Sequence, residues 1–155
     1  MPTASTCWVA APDADDQPSG RVRPVSSQPG SPAMFLKRPA ARVVLLDRDR
    51  RIFLVNAEDP LDPYKPAWWE IPGGGIDRGE DSATAAEREL VEETGIECVE
   101  MGPVIWTQHV QFTFGGYFFD SHEKIHVAWC DGGEYRPRHL EALEAAAFMG
   151  ARWWA

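Results

Sequence analysis

The chain has 155 residues, 44% of them hydrophobic and 25% charged, which suits one domain with a buried core. Its formal net charge of −9 at pH 7 argues against broad binding to nucleic acids or anionic membranes, because both are negatively charged. The chain has no long apolar run, no secretory signal and no C-x-x-C pair among its three cysteines, so we predict a cytoplasmic protein with reduced thiols and no membrane span.

Residues 1–33 differ in composition from the rest of the chain. They are rich in Pro, Ser, Ala, Asp and Gln and carry few large apolar side chains, so they cannot bury enough surface to offset the entropy of ordering. We therefore predict a disordered leader over 1–33 and a folded domain over 34–155. Met34 stands where the patterned sequence begins, and the sequence leaves open whether the leader belongs to the natural product.

Three strands are predicted before a run of glycines. Residues 42–46 and 51–55 are β-branched and apolar and are separated by a short polar turn, which predicts a hairpin. Residues 56–66 contain three prolines and predict a loop that flanks a ligand cleft. Residues 68–71 form a third short strand, which leads through Pro72 into three consecutive glycines.

A helix is predicted over 83–94, shortly after the glycines. This segment contains no Gly or Pro and is rich in Ala, Glu, Arg and Leu, which favour helix. Asp81 or Ser82 is placed to cap its start, and Gly95 stands where a left-handed glycine would end it. Because glycine lets the backbone turn sharply and approach a ligand closely, the glycine run predicts a loop at a binding site.

One face of this helix carries three carboxylates. Glu89, Glu92 and Glu93 have the spacing i, i+3 and i+4, so they project together and repel one another. A divalent cation removes that repulsion, and oxygen ligands suit Mg²⁺ or Mn²⁺. Arg88 is placed to reach Glu92 and, backwards, Glu80, which would hold the loop against the helix. Taken alone, the same spacing also fits a solvated acidic helix with internal ion pairs.

The rest of the chain predicts further strands and one more helix. The strands are predicted over 97–101, 104–114, 117–119, 124–130 and 151–154, and the amphipathic helix over 139–148. Strands on both sides of a central helix, with a second helix late in the chain, predict an α/β fold. We expect an α/β/α sandwich, in which a mixed sheet lies between helices.

One continuous segment carries the resemblance to a known family. It reads Gly74-x5-Glu80-x7-Arg88-Glu89-Leu90-Val91-Glu92-Glu93-Thr94-Gly95-Ile96 and fills every fixed position of G-x5-E-x7-R-E-U-x-E-E-x-G-U, where U is aliphatic. The chain resembles the Nudix hydrolase superfamily (MutT-like) over about residues 35–155. The resemblance implies an α/β/α sandwich with the signature as loop-helix-loop, and Mg²⁺-dependent hydrolysis of a nucleoside diphosphate linked to another moiety. Related domains usually carry a further C-terminal helix, and this chain is expected to lack it.

The resemblance also implies roles for individual residues. Glu89, Glu92, Glu93 and the backbone carbonyl of Gly73 are expected to bind Mg²⁺, with Mn²⁺ as a substitute. Arg88 is expected at the same catalytic centre, and we interpret it as a structural brace rather than a phosphate contact.

The general base is left open. In some relatives it is the glutamate that matches Glu89, and in others it is a glutamate far downstream. The downstream candidates are Glu123, Glu134, Glu141 and Glu144. We favour Glu144, on the late helix just before the last strand, although a solvated surface role fits any one of these glutamates as well. The four histidines have no metal-ligand partner at a suitable sequence spacing and are predicted to be non-catalytic.

The substrate contacts are predicted from single residues. Gly74 and Gly75 are expected to let the backbone approach the substrate, Arg42 to reach its phosphates, and Trp69 and Phe112 to stack on its base. The alternatives are a solvated arginine at a strand start and aromatic side chains in the core. The position that marks some family subgroups falls near Phe112, which is neither the tyrosine typical of dinucleoside polyphosphate hydrolases nor the proline typical of ADP-ribose hydrolases. The sequence therefore does not choose among diphosphate substrates.

The predicted partner is a small nucleotide diphosphate, and a homodimer is a further expectation. Nucleic acid is not expected, since the acidic balance also argues against a messenger-RNA decapping role. Two other functions compete with hydrolysis. One is a non-catalytic module that binds a nucleotide or ADP-ribose, which the retention of all signature glutamates disfavours. The other is a protein whose glutamates bind a cation only for stability.

Overall fold

The computed structural model of the chain describes residues 34–98 and 100–155, so the predicted leader over 1–33 lies outside the described residues. The elements in chain order are β1 (Met34–Leu46), β2 (Ile52–Ala57), β3 (Trp68–Glu70), β4 (Gly73–Gly75), α1 (Ser82–Thr94), β5 (Glu100–Phe114), β6 (Tyr117–Trp129), α2 (Ala142–Ala147) and β7 (Phe148–Trp154). Neither helix in these two ranges is long and apolar enough to cross a membrane.

All seven described strands belong to one sheet. β1 pairs in parallel with β6 along its whole length, and antiparallel with β2 and β4 at its other edge. β5 continues the sheet beyond β6, while β3 and β7 both pair antiparallel with β2. The sheet is therefore mixed, as the sequence predicts.

Two late strands are longer than predicted. The segments 97–101 and 104–114 were expected to be separate, but one strand, β5, includes the last two residues of the first and the whole of the second, with irregular register near its start. The segments 117–119 and 124–130 are likewise joined in β6. The polar residues between them do not interrupt β6, because β1 and β5 pair with it on both sides.

Two other boundaries also differ from the prediction. β1 begins at Met34 rather than at Arg42, because its parallel pairing with β6 extends over the whole of both strands. The predicted helix over 139–148 shortens to α2, since Glu141 caps its start and Phe148 already begins β7.

α1 begins and ends as the sequence predicts. The Asp81 carboxylate accepts hydrogen bonds from the backbone N–H groups of Ala83 and Thr84, both at 2.9 Å. Gly95 follows the helix with φ of 72°, and a Cβ there would lie 1.9 Å from the carbonyl oxygen of Arg136. Both the left-handed backbone and the lack of space therefore require glycine.

α1 packs on one face of β1. Val43 and Leu45 of β1 are fully buried in the same cluster as Ala86 and Leu90 of the helix. Burial of a side chain such as Leu90 stabilises the fold by about 1.5–3 kcal/mol. Because side chains alternate along a strand, Arg42 points to the opposite face, where a cavity separates the sheet from α2. Helices thus lie on both faces, and the predicted α/β/α sandwich is confirmed.

Candidate active site

The three glycines form the short strand β4 instead of the predicted loop, because they pair with β1. Gly73 lies opposite Arg42, and Gly74 lies opposite Ala41. Gly73 has φ of 137°, and a Cβ there would lie 2.3 Å from the carbonyl oxygen of Ala41. A Cβ on Gly74 would lie 2.6 Å from the carboxylate of Glu89. Only glycine therefore lets this backbone pass between β1 and the acidic face of α1.

The three signature glutamates have very different surroundings. The Gly73 N–H donates a 2.8 Å hydrogen bond to Oε2 of Glu93, and burial raises the pKa of Glu93 well above its usual range. Burial also raises the pKa of Glu89, whose side chain is 13% exposed. The side chain of Glu92 is more open, at 38% exposure. The acidic face of α1 is therefore partly buried against β4 and not a fully solvated surface.

Arg88 joins the loop to the helix. Its Nε and Nη2 donate to the two carboxylate oxygens of Glu80, at 3.0 and 2.9 Å. Its Nη2 also donates to the Gly75 carbonyl at 3.0 Å. Its Nη1 donates to Glu89 at 2.9 Å and to Glu92 at 3.1 Å. The contact with Glu80 that the sequence predicts is therefore present, and the same guanidinium orients two signature glutamates.

α2 brings Glu144 towards the signature glutamates. Glu144 and Glu141 form a capping box, in which Oε2 of Glu144 accepts a 2.8 Å hydrogen bond from the Glu141 N–H. Burial raises the pKa of Glu144. Besides their own burial, the charge of Glu144 contributes to the raised pKa of Glu89 and of Glu93. Carboxylates from two helices distant in sequence therefore lie close enough to interact.

Two other candidates for the general base are engaged in ion pairs. Glu123 is 3% exposed and accepts hydrogen bonds from Arg42 at 3.1 Å and from Gln108 at 2.6 Å. Glu134 is exposed and pairs with Arg136 at 2.7 Å. Glu144 is the downstream candidate whose charge interacts with the signature glutamates.

Arg42 is buried among protein acceptors and is not the solvated arginine that was the alternative, whereas its contact with substrate phosphates stays a prediction. Its side chain is 13% exposed and donates to Glu123 and to the carbonyls of Ile71, at 3.2 Å, and Gly73, at 3.4 Å. Although burial opposes its charge, Glu123 and Glu70 raise the pKa of Arg42. The Gly73 carbonyl, predicted as a metal ligand, is thus also an acceptor for Arg42.

A cavity of about 390 Å³ lies beside these carboxylates, between the sheet and α2. Its aromatic walls include Trp68, Phe112, Phe114, Tyr117, Phe119 and Phe148. Its charged walls include Arg38, Arg42, Glu70, Glu93, Glu141 and Glu144. Phe112, one of the predicted substrate contacts, stacks on Phe119 with ring centroids 5.0 Å apart and planes 11° apart. The cavity thus has a flat aromatic surface as well as carboxylates in its wall.

Trp69, the other aromatic residue predicted to contact substrate, packs elsewhere. Its ring lies edge-on to Trp154 at 5.1 Å, and the Arg152 guanidinium is 5.1 Å from its centroid. Its neighbour Trp68 lines the cavity instead and lies edge-on to Phe114 at 5.9 Å. Adjacent residues of a strand point to opposite faces, so Trp68 lines this cavity while the contact of Trp69 with substrate stays a prediction.

Arg38 lines the cavity and was missed in the sequence. Its guanidinium lies 5.1 Å from the centroid of Phe119, and its Nη1 lies 3.1 Å from the position that a Cβ on Gly75 would occupy. Its Nε is buried and has no hydrogen-bond partner among the residues that the structure describes. The available signal was its spacing from Arg42: two residues four apart on one strand share a face.

The family model for the NUDIX domain matches residues 36–155. The chain belongs to the Nudix family.

Two relatives of this Nudix chain are named RNA pyrophosphohydrolase. The protein from Caulobacter vibrioides strain NA1000 is 45% identical over 64 residues, which cover 41% of this chain and 36% of the relative. The protein from Sphingopyxis alaskensis is 52% identical over 59 residues, which cover 38% of this chain and 35% of the relative. The matches therefore span only about a third of the length of these curated relatives.

Two solved Nudix structures share the fold. A MutT protein from Methanosarcina mazei Go1 has a TM-score of 0.55 at 14% identity and covers 81% of this chain and 80% of its own. A MutT NUDIX hydrolase from Burkholderia pseudomallei has a TM-score of 0.54 at 24% identity, with coverage of 77% and 84%. Both confirm the predicted Nudix fold.

The residues of this Nudix site fit a divalent cation. Glu89, Glu92, Glu93 and Glu144 offer carboxylate oxygens, which Mg²⁺ and similar hard cations prefer. Arg88 bonds to two of these glutamates, so its single positive charge leaves negative charge uncompensated. A divalent cation would relieve the repulsion among the partly buried carboxylates.

Proposed function

We propose that this chain is a Mg²⁺-dependent pyrophosphohydrolase that cleaves the diphosphate linkage of a nucleoside diphosphate joined to another moiety. One observation carries the proposal: Glu93 of α1 and Glu144 of α2 line the same aromatic cavity, and their charges interact. Such a site combines charges for a diphosphate with a wall for a base.

The signature glutamates and β4 would hold the metal. Glu89, Glu92, Glu93 and the Gly73 carbonyl would bind Mg²⁺, for which Mn²⁺ could substitute. Mg²⁺ would polarise the phosphoryl oxygens and lower the pKa of a bound water. Arg88 keeps Glu89 and Glu92 in fixed orientations through its hydrogen bonds, and therefore acts as a positioning residue.

Glu144 is our choice for the general base. Its raised pKa, caused first by burial, makes its carboxylate a better proton acceptor than an exposed glutamate. Its capping bond to the Glu141 N–H engages Oε2, and its other oxygen is proposed to accept a proton from the attacking water. Glu89 is the second candidate, as in the sequence prediction.

The cavity walls would bind the two ends of the substrate. Phe112 and Phe119 present a flat surface on which a base can stack, as aromatic side chains do in nucleotide sites. Arg38 is proposed to bind the diphosphate, because its buried Nε has no hydrogen-bond partner among residues 34–98 and 100–155. Gly74 and Gly75 are proposed to let the backbone approach the phosphates, without side chains in the way.

Two classes of substrate are considered for this site: free nucleotides and the 5′ ends of RNA. The relatives named RNA pyrophosphohydrolase make a 5′-phosphorylated RNA a candidate. The net charge of −9 disfavours an RNA that would contact a wide surface, so we keep the small nucleotide diphosphate as the leading substrate class.

A panel assay tests the proposal. The full chain would be incubated with Mg²⁺ and, separately, with nucleoside triphosphates, ADP-ribose, dinucleoside polyphosphates and a 5′-triphosphorylated RNA. We expect cleavage of the diphosphate linkage in at least one substrate, detected by chromatographic separation of the phosphorylated products, and loss of cleavage in Glu92→Gln. Glu87→Gln, on an exposed position of the same helix, is the matched control.

Three outcomes of this assay separate the competing functions. Turnover that depends on Glu92 supports hydrolysis. Saturable binding of a nucleotide without any turnover would identify a binding module instead. If Mg²⁺ raises the melting temperature and no panel member binds or is cleaved, the glutamates hold a cation only for stability.

A further inference from the structure

A second cluster of metal-ligating side chains lies on β5 and β6. His109 of β5 is the direct cross-strand partner of His122, and Asp120 lies two residues before His122 on β6. The two imidazole rings stack with centroids 4.1 Å apart and planes 6° apart. Nε2 of His109 is in hydrogen-bond contact with Oδ1 of Asp120. One ligand atom from each residue lies within 4.8 Å of the others.

This cluster lies on the sheet face away from the cavity, and none of the signature glutamates belongs to it. Along β6, Phe119 and Glu123 have side chains on the face that carries the cavity and Arg42, so Asp120 and His122 occupy the reverse face. The ring of His109 is about half exposed, whereas Asp120 is largely buried. A metal ion could therefore reach the cluster from solvent without passing through the cavity.

We propose that His109, Asp120 and His122 form a binding site for a transition-metal ion of intermediate softness, and that Zn²⁺ is the ion that fits it best. Two imidazoles and one carboxylate are the protein ligands of many Zn²⁺ sites that keep a fourth position for water. Imidazole nitrogens favour Zn²⁺ over Mg²⁺, so the two metal sites of this chain would differ in selectivity.

The backbone already holds these ligands close together. β6 is paired on both sides, by β1 and β5, so Asp120 and His122 stand on a fixed strand. Directly opposite residues of an antiparallel pair have Cβ atoms about 4.5–5.5 Å apart. A tilt of the two imidazole rings about their Cβ–Cγ bonds brings their nitrogens towards one ion, and this torsion is broad for histidine.

Zn²⁺ at this position would clamp β5 to β6. Three residues further along β5, Phe112 stacks on Phe119 and forms the aromatic wall of the cavity on the other face of the same strand pair. The site therefore links metal binding to the rigidity of that wall. No sequence pattern indicates this cluster, because 12 residues lie between the two histidines and only strand pairing brings them together.

Calorimetric titration with ZnCl₂ tests the proposal. The full chain would be titrated in excess MgCl₂, so that Mg²⁺ competes at the signature glutamates. We expect one Zn²⁺ per chain at this cluster, and at least tenfold weaker binding in His122→Gln and in Asp120→Asn. His139→Gln, an exposed histidine outside the cluster, is the matched control and should bind as the unaltered chain does.

Imidazole NMR spectra give a readout that folding defects do not imitate. On addition of ZnCl₂, the ring resonances of His109 and His122 should shift, while those of His126 and His139 should not. The melting temperature of the unaltered chain should also rise with ZnCl₂, and that of His122→Gln should not.

Two results would overturn the proposal. Zn²⁺ binding that is lost in Glu92→Gln and unchanged in His122→Gln would place the ion at the signature glutamates. If the ring resonances of His109 and His122 do not shift with ZnCl₂, the cluster is not a metal site, and its hydrogen bond and ring stacking are only structural.

Discussion

The signature region and the cavity wall are held together by different kinds of contact. In the signature region, Arg88 bonds to Glu80 across 8 residues and to Glu92 across 4. In the cavity wall, Arg42 bonds to Glu123 across 81 residues. The first region is a local unit of strand, loop and helix, whereas the second exists only after distant strands have paired. We therefore expect changes in the first region to alter the rate, and changes in the second to alter substrate affinity.

Glu93→Gln should give the largest loss of rate. Glu93 is a proposed metal ligand whose carboxylate already accepts the Gly73 N–H, and the amide keeps its shape but removes its charge. We expect kcat to fall by more than about 100-fold, because loss of even an outer-shell partner of a metal site costs about 10–100-fold. Initial rates at saturating substrate measure this. An unchanged kcat would remove Glu93 from the proposed metal site.

Gly73→Ala should give the largest loss of stability. The new Cβ would lie 2.3 Å from the Ala41 carbonyl oxygen, at a φ of 137° that side chains rarely adopt. We expect destabilisation by about 3 kcal/mol or more, from overpacking and backbone strain together. Gly79→Ala is the control, since Gly79 also has positive φ but meets no atom within 4 Å, and it should cost only about 1–2 kcal/mol. Urea unfolding of both variants measures the difference.

Arg88→Lys should lower the rate with a smaller effect on stability. Lysine keeps the charge but cannot bond at once to Glu80, the Gly75 carbonyl and two signature glutamates. We expect kcat to fall by about 10–100-fold, because the glutamates lose their fixed orientation. Arg78→Lys, at an exposed position in the loop before α1, should leave kcat unchanged. Equal rates in the two variants would mean that Arg88 does not orient the site.

The same division explains what the sequence could predict. The contact of Arg88 with Glu80 follows from helix geometry and a short loop, so it could be predicted from spacing. The choice between Trp68 and Trp69 depends on which face of the short strand β3 meets the cavity, and no local pattern gives this. Arg38 was missed because β1 begins eight residues before the apolar segment that indicated a strand, where only its pairing with β6 shows the extension.

The predictions about the site divide in the same way. The acidic face of α1 could be placed from periodicity alone, and its glutamates do lie against the glycines of β4. The ion-pair partners of Arg42 could not be predicted from periodicity, because Glu123 and Glu70 approach it from separate strands. Sequence periodicity thus predicts which residues share an element, whereas burial and ion pairing depend on strand order.

Phe112→Ala should weaken substrate binding more than it lowers the rate. Loss of the ring removes a stacking surface beside Phe119, and base stacking on an aromatic side chain contributes about 1–3 kcal/mol. We expect KM to rise by about 5–150-fold with a small change in kcat. Trp69→Ala is the matched aromatic control and should lower stability without changing KM, because Trp69 packs on Trp154. A rise in KM for Trp69→Ala would contradict the assignment of the cavity wall.

The smallest expected effect concerns a hydrogen-bond network in the turn between β1 and β2, outside the candidate active site. The Asp47 carboxylate accepts hydrogen bonds from the backbone N–H groups of Asp49 and Arg51 and from the Arg51 guanidinium, at 2.7–2.9 Å. Burial by itself would raise the pKa of Asp47, but these hydrogen bonds hold that pKa below its ordinary value.

A depressed folded-state pKa stabilises the fold above the unfolded pKa of about 3.9, and this stabilisation is lost as the pH falls through the folded-state pKa. The difference in unfolding free energy between the unaltered chain and Asp47→Asn should therefore be constant near neutral pH and shrink below about pH 4. Urea unfolding across pH measures it, and a difference that grows on acidification would show that the turn is not held by the ionised carboxylate.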